Sequence, residues 1–123
     1  MHELSIARSL MGLVGRHAPR GQKVRRVHVR VGPLRAIEPD AMQWAWRAAT
    51  VSTVYEGAQL KLQLVCWQMR CPACGRQWEG DDPLGACLCG CQDCHPVGDD
   101  QLTLVSLEVD QHAADKVSAP VTP

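Results

Sequence analysis

Six of the seven cysteines in this chain fall between Cys71 and Cys94. Thiolates separated by two residues can grip one ion, while the tight turn between them aims backbone N–H groups at the sulfurs. "CPACG" has that form, and its proline and glycine suit the turn. "CQDC" repeats the spacing. Cys71, Cys74, Cys91 and Cys94 would then close a tetrahedral four-thiolate Zn²⁺ site around a loop. Two alternatives stay open for the second pair. "CLCG" can act as a shortened copy of "CPACG", which would bring in Cys87 or Cys89. His95 can replace a thiolate, or be an ordinary surface histidine. The competing use of these cysteines is redox or disulfide chemistry, but two CxxC pairs bracketing a loop is the pattern of structural zinc.

A second constellation stands at the other end. The chain begins "MHELS". Histidine is too large for the usual removal of the initiating methionine, so Met1 is expected to stay. The Met1 amine, the deprotonated His2 amide and the His2 imidazole could then bind one ion, with a further backbone nitrogen from Glu3. Four nitrogens in a rough plane suit Ni²⁺ or Cu²⁺ and do not suit tetrahedral Zn²⁺. The plain alternative is a solvated terminal histidine.

The composition bounds what these groups can serve. The 123 residues suit one domain with a small appendage, and 46% hydrophobic residues allow a packed core. Thirteen basic residues balance thirteen acidic ones. That balance argues against a surface built to neutralise nucleic-acid phosphates, and against a polybasic membrane patch. No segment approaches the roughly 20 apolar residues of a membrane span, and the N-terminus does not read as a signal peptide. A cytoplasmic location is expected, where thiols stay reduced.

Helices and strands must position both constellations. Ile6, Leu10, Leu13 and Val14 make one helical stripe between Leu4 and His17, with Ser5 as the candidate cap. Val27, Val29 and Val31 alternate with Arg26, His28 and Arg30, the pattern of a half-buried strand. Basic residues there, with Arg25, read as its solvated face. A second helix is predicted from Glu38 or Pro39 to about Tyr55, burying Met42, Ala45, Trp46 and Ala49. "AQLKLQLVC" reads as a strand with Leu60, Leu62, Leu64 and Cys66 on one face, so Cys66 is predicted to be a core thiol. A last strand covers Gln101 to Val109. The expected fold is α+β: a three-stranded sheet with two helices on one face, and a zinc-ribbon-like lobe inserted between the last two strands. Residues 1–66 and 99–110 form the α/β part, 67–98 the lobe, and 111–123 a polar tail expected to be disordered.

"MHELSIARSLMGLV", "VHVRVGPLRAIEPDAM", "EGAQLKL", the "CPACG" knuckle and "DDQLTLVSLEVD" together resemble the HypA/HybF family. These are nickel-delivery accessory proteins for nickel–iron hydrogenase maturation. The resemblance runs from Met1 to about Asp110. It implies a nickel site at Met1, His2 and Glu3, with Ni²⁺ as transferred cargo and Zn²⁺ as a structural ion. It also implies two partners, a maturation GTPase and the hydrogenase large-subunit precursor. Counting back from "DDQLTL" against the family pattern points to Cys87 or Cys89 in the second zinc pair. The leading function is therefore a nickel metallochaperone. The alternative is a zinc-ribbon adaptor that only mediates protein contacts. An enzyme is not expected, because a fully thiolate zinc site has no open position for water and no catalytic triad or phosphate loop stands out.

Overall fold

The computed structural model describes residues 2–79, 86–110 and 112–122. Helix α1 spans His2–His17 and strand β1 Val24–Val31. A 3₁₀ turn at Pro33–Arg35 leads to helix α2, Pro39–Thr50, and strand β2, Gln59–Leu64. Three short strands follow: β3 at Gln68–Arg70, β4 at Gln77–Glu79 and β5 at His95–Val97. Strands β6, Leu102–Val109, and β7, His112–Pro120, end the order. The larger sheet runs β2-β1-β6-β7, and the smaller runs β4-β3-β5.

The expected helical stripe is what docks α1. Ile6, Ala7, Leu10, Leu13 and Val14 are all buried. Gly12 and Gly15 each cost the helix about 1 kcal/mol relative to alanine. Burying each leucine or isoleucine side chain contributes about 1.5–3 kcal/mol, so packing decides. The helix starts at His2, so Ser5 lies inside it and is not its cap.

Helix α2 begins where proline and acid predict. Glu38 is the N-cap, its carboxylate accepts from the Ala41 N–H, and Pro39 stands at the first helical position. It stops at Thr50, five residues short of the expected end. There the hydroxyls compete for backbone acceptors: Thr50 Oγ1 donates to the Trp46 carbonyl at 2.8 Å, and Thr53 Oγ1 to the Thr50 carbonyl at 2.6 Å. Trp46 is buried, and its indole N–H donates to the Ala58 carbonyl at 2.8 Å. That bond ties the helix to the segment entering β2, which pairs parallel to β1.

Val24, Val27, Val29 and Val31 face the core from β1. On β6 the apolar spacing changes phase, from Leu102 and Leu104 to Leu107 and Val109. A β-bulge resolves it: His28 pairs with Ser106 and Val29 with Leu104, so Val105 is the extra residue. All four leucine and valine side chains therefore stay inside. The other sheet face is polar, as expected of the basic residues. Arg26 meets Glu108 at 3.0 Å, Arg30 meets Asp99 at 2.9 Å, and Arg25 pairs with Asp110.

Two expectations are corrected. The sheet has four strands, because residues 112–120 of the expected tail pair antiparallel with β6. Val121 is buried, and Val117 and Ala119 pack against the same core. The alternation Val117, Ala119, Val121 carries this strand inside an otherwise polar segment. Cys66 is exposed, and so is Leu64. The edge strand β2 keeps Leu60 buried and then runs out from under the helices, so its face does not stay buried to the end.

Candidate metal centres

The short sheet exists to hold two turns. Strands β3 and β4 form a hairpin, with Met69 opposite Trp78. Met69 is fully buried, and Arg76 lies over the Trp78 ring at 5.2 Å. The hairpin loop is the first knuckle. Gly75 N–H donates to the Cys71 carbonyl and Cys71 N–H to the Arg76 carbonyl, both at 2.9 Å. The second knuckle repeats that pattern one residue shorter. Gly90 N–H donates to the Cys87 carbonyl at 3.0 Å, and Cys87 N–H to the Cys91 carbonyl at 3.2 Å. Gly75 and Gly90 have φ of 75° and 96°, a left-handed turn that glycine adopts without strain.

The two knuckles bring four sulfurs together. The Sγ atoms of Cys71, Cys74, Cys87 and Cys89 all lie within 4.8 Å of one another. Cys71–Cys89 and Cys74–Cys87 are each 3.6 Å apart. A zinc–sulfur bond of about 2.3 Å puts tetrahedral sulfurs about 3.8 Å apart, so this quartet fits the ion. The expected quartet of Cys71, Cys74, Cys91 and Cys94 is not gathered in one group. Cys91 and Cys94 form a second group with Cys71. His95 is an exposed residue of β5 and belongs to neither. The shortened "CLCG" is thus the second knuckle. The signal that identifies it is the cysteine–glycine pair common to Cys74-Gly75 and Cys89-Gly90, which spacing alone overlooks.

The electrostatics fit a dication. The Cys74 N–H, aimed at the Cys71 sulfur, lowers that thiol to about 6, with the Ala73 N–H assisting. The Cys89 N–H lowers Cys87 in the same way. Cys74 receives the Arg76 N–H, yet its neighbours Cys87 and Cys71 outweigh that help and raise it. Cys89 receives the Cys91 N–H and is still pushed up to about 12 by Cys87 and Cys71. Two thiols are shifted toward the thiolate and two away from it, because a sulfur that donates its hydrogen bond to a neighbouring thiolate holds on to its proton. A divalent cation removes the conflict. Cys94 is raised to about 11, by burial first and then by the Cys71 sulfur.

Met1 and the His2 side chain lie outside the described residues. The His2 backbone opens α1. Glu3, in the first turn, lines an open groove with Ile6, Leu34, Arg35, Ile37 and Asp100. The first turn therefore faces the junction where the chain leaves β1 and where it returns from the lobe. That junction is tight. Gly32 N–H donates to the Gln101 carbonyl at 2.8 Å and Leu34 N–H to the Asp99 carbonyl at 3.0 Å. A Cβ on Gly32 would fall 2.0 Å from Asp99 Oδ1. No helix among the described residues is long and apolar enough to cross a membrane.

Comparison with known proteins agrees with this architecture. The model of the family described as "Hydrogenase/urease nickel incorporation, metallochaperone, hypA" matches residues 1–109. A hydrogenase maturation factor HypA from Nostoc punctiforme is 34% identical over 111 residues, covering 90% of this chain and 97% of the relative. The factor of the same name from Archaeoglobus fulgidus is 38% identical over 92 residues, 73% of this chain and 82% of its own. The solution structure of the nickel metallochaperone HypA from Helicobacter pylori superposes with a TM-score of 0.54 at 25% identity. It covers 87% of this chain and 96% of that one. A second structure, titled "Solution structure of HypA protein", gives a TM-score of 0.61, also at 25% identity, over 91% of this chain and 98% of that one. This chain belongs to the HypA family.

Proposed function

We propose that this protein is a nickel carrier for hydrogenase maturation, binding Ni²⁺ through Met1, His2 and Glu3 and releasing it to a protein receiver. The observation that carries the reading is the family match from residue 1 to residue 109, which includes both metal constellations. Physical chemistry supports the terminal site. The first turn of a helix offers no intrahelical acceptor to its N–H groups. Deprotonating amides at the start of α1 for a planar chelate therefore breaks no helical hydrogen bond.

Zinc in the lobe would be structural, held by Cys71, Cys74, Cys87 and Cys89. It would lock the two knuckles together and leave no position for a reacting water. The receivers would be the maturation GTPase and the hydrogenase large-subunit precursor, in the cytoplasm. Carriage without catalysis is what this pair of sites supports: one fully thiolate site with no position for a reacting water, and one terminal site that can release its ion.

Calorimetric titration of Ni²⁺ into the zinc-loaded wild type and into His2→Ala tests the reading. The wild type is expected to bind one Ni²⁺, and His2→Ala to lose it with zinc content and fold unchanged. Equal nickel binding by the two would leave the chain as a zinc-lobed adaptor. Binding should also strengthen as pH rises through neutrality, since the imidazole (ordinary pKa about 6.5) must be neutral and an amide must lose its proton.

A further inference from the structure

Two cysteines beside the thiolate quartet are not used by it. Cys91 follows Gly90 directly, in the position that Arg76 holds in the first knuckle. Its N–H serves the Cys89 sulfur and its carbonyl accepts from the Cys87 N–H. Cys94 lies one turn further, with its Sγ 3.5 Å from the Cys91 carbonyl oxygen. The sulfurs of Cys71, Cys91 and Cys94 lie within 4.8 Å of one another, the same limit that contains the quartet. Cys71 belongs to both groups. The second set offers three sulfurs, one short of the four that a structural Zn²⁺ takes, and one of the three already belongs to the quartet.

The partition of exposure says which ligands could change. Cys71 and Cys87 are buried, Cys74 and Cys89 are exposed, and Cys91 and Cys94 are half-buried. Buried ligands are fixed by packing, while an exposed one can swing out to water. Zn²⁺ has no geometric preference from its d electrons and can pass through five-coordination, so an adjacent thiolate can attack before the old one leaves.

We propose that Cys91 and Cys94 are an internal exchange pair for a zinc ion held at the quartet, taking the place of its exposed ligands Cys74 and Cys89 while the buried Cys71 and Cys87 stay bound. The inference rests on the zinc reading of the lobe given above. In each exchange one zinc–sulfur bond forms from Cys91 or Cys94 as one to Cys89 or Cys74 breaks. The entering thiol gives up its proton and the departing thiolate takes one, with no change of oxidation state. The consequence is a site that is thermodynamically tight and kinetically open. A chelator or an acceptor thiol can then draw zinc out through the second set.

The test is zinc transfer to a chromogenic chelator, followed by absorbance, from zinc-loaded wild type and from Cys91→Ser/Cys94→Ser. Both should hold one zinc per chain. The wild type should release it faster by on the order of tenfold, about 1.4 kcal/mol of barrier. Cys89→Ser should keep its zinc by recruiting the spare pair, and should lose it only when Cys91 and Cys94 are replaced as well. Equal release rates from wild type and Cys91→Ser/Cys94→Ser would overturn the proposal while leaving the zinc site intact. Loss of zinc from Cys89→Ser alone, equal to that of the triple variant, would overturn it too. A wild type that binds no zinc would overturn the zinc reading itself.

Discussion

The helix–sheet layer and the cysteine lobe differ in what holds them. The layer buries a continuous cluster from Ile6 to Val121, drawn from both helices and from β1, β2 and β6, with Val117 and Ala119 of β7 packed against it. The lobe has three strands of three residues, and its buried side chains among the described residues are Met69, Cys71 and Cys87. Burial of the first kind is non-directional and gains from every methyl group. A lobe with one buried methionine must draw its order from the sulfurs and what they bind. The teaching of the contrast is that one region should survive metal loss and the other should not.

The largest break in that comparison is removal of the lobe's metal. Apparent zinc-binding energies in small structural sites are about 10–16 kcal/mol at neutral pH, and there they are folding energies. Cys71→Ala should therefore abolish zinc and amide protection in β3, β4 and β5, while α1, α2 and the larger sheet keep theirs. Hydrogen exchange with zinc counting reads both. A Cys71→Ala protein with full zinc would refute the site. The opposite substitution sharpens the comparison. Trp46→Ala removes a buried ring and the bond to Ala58, and should cost the layer about 3–5 kcal/mol by denaturant unfolding. Zinc content should stay near one per chain.

What could be read in advance follows the same division. The stripes of α1 and α2 and the alternation of β1 were legible because apolar burial imposes a period. The proline and acid at Glu38-Pro39 marked the start of α2 because capping is local. The strand at residues 112–120 was not legible, since Val117, Ala119 and Val121 are too few among polar neighbours to outweigh composition. Cys66 followed a real alternation that outran its cover at a sheet edge. In the lobe, no period exists to read. Which cysteine pairs ligate depends on which turns can close, and two overlapping spacings in "CLCGCQDC" leave that choice to backbone hydrogen bonds at Gly90. The third dimension also chose the neighbour of the N-terminus: Asp100 is far from Glu3 in sequence and lines the same groove.

The junction between the regions gives a smaller effect. Gly32→Ala must displace Asp99 and with it the Arg30 pair, an overpacking cost of about 1–3 kcal/mol. It should lower the layer's thermal midpoint and move the lobe relative to it, seen as shifted resonances on both sides of Asp99. An unperturbed spectrum would contradict the tight approach.

The smallest effect lies on the polar face of the sheet. The Arg30 guanidinium holds Asp99 below the usual carboxylate range, and His28, with Arg26, does the same for Glu108. Groups depressed in the native state stabilise it above their unfolded pKa of about 4, and that contribution is lost as pH falls through the native values. The wild type should thus lose thermal stability below about pH 4 more steeply than Asp99→Asn/Glu108→Gln. Parallel acid profiles would show that these pairs contribute nothing measurable.

Nickel carriage by the chain's first residues is the central claim, and it is tested most directly by moving the α-amine. One glycine placed before Met1 leaves His2, Glu3, the core and every cysteine as they are. Only the distance between amine and imidazole changes. Calorimetry on the zinc-loaded extended form should show nickel binding lost or severely weakened, with one zinc still bound and the thermal midpoint unchanged. Nickel binding equal to that of the wild type would show that the amine is not a ligand, and would contradict the terminal site proposed here.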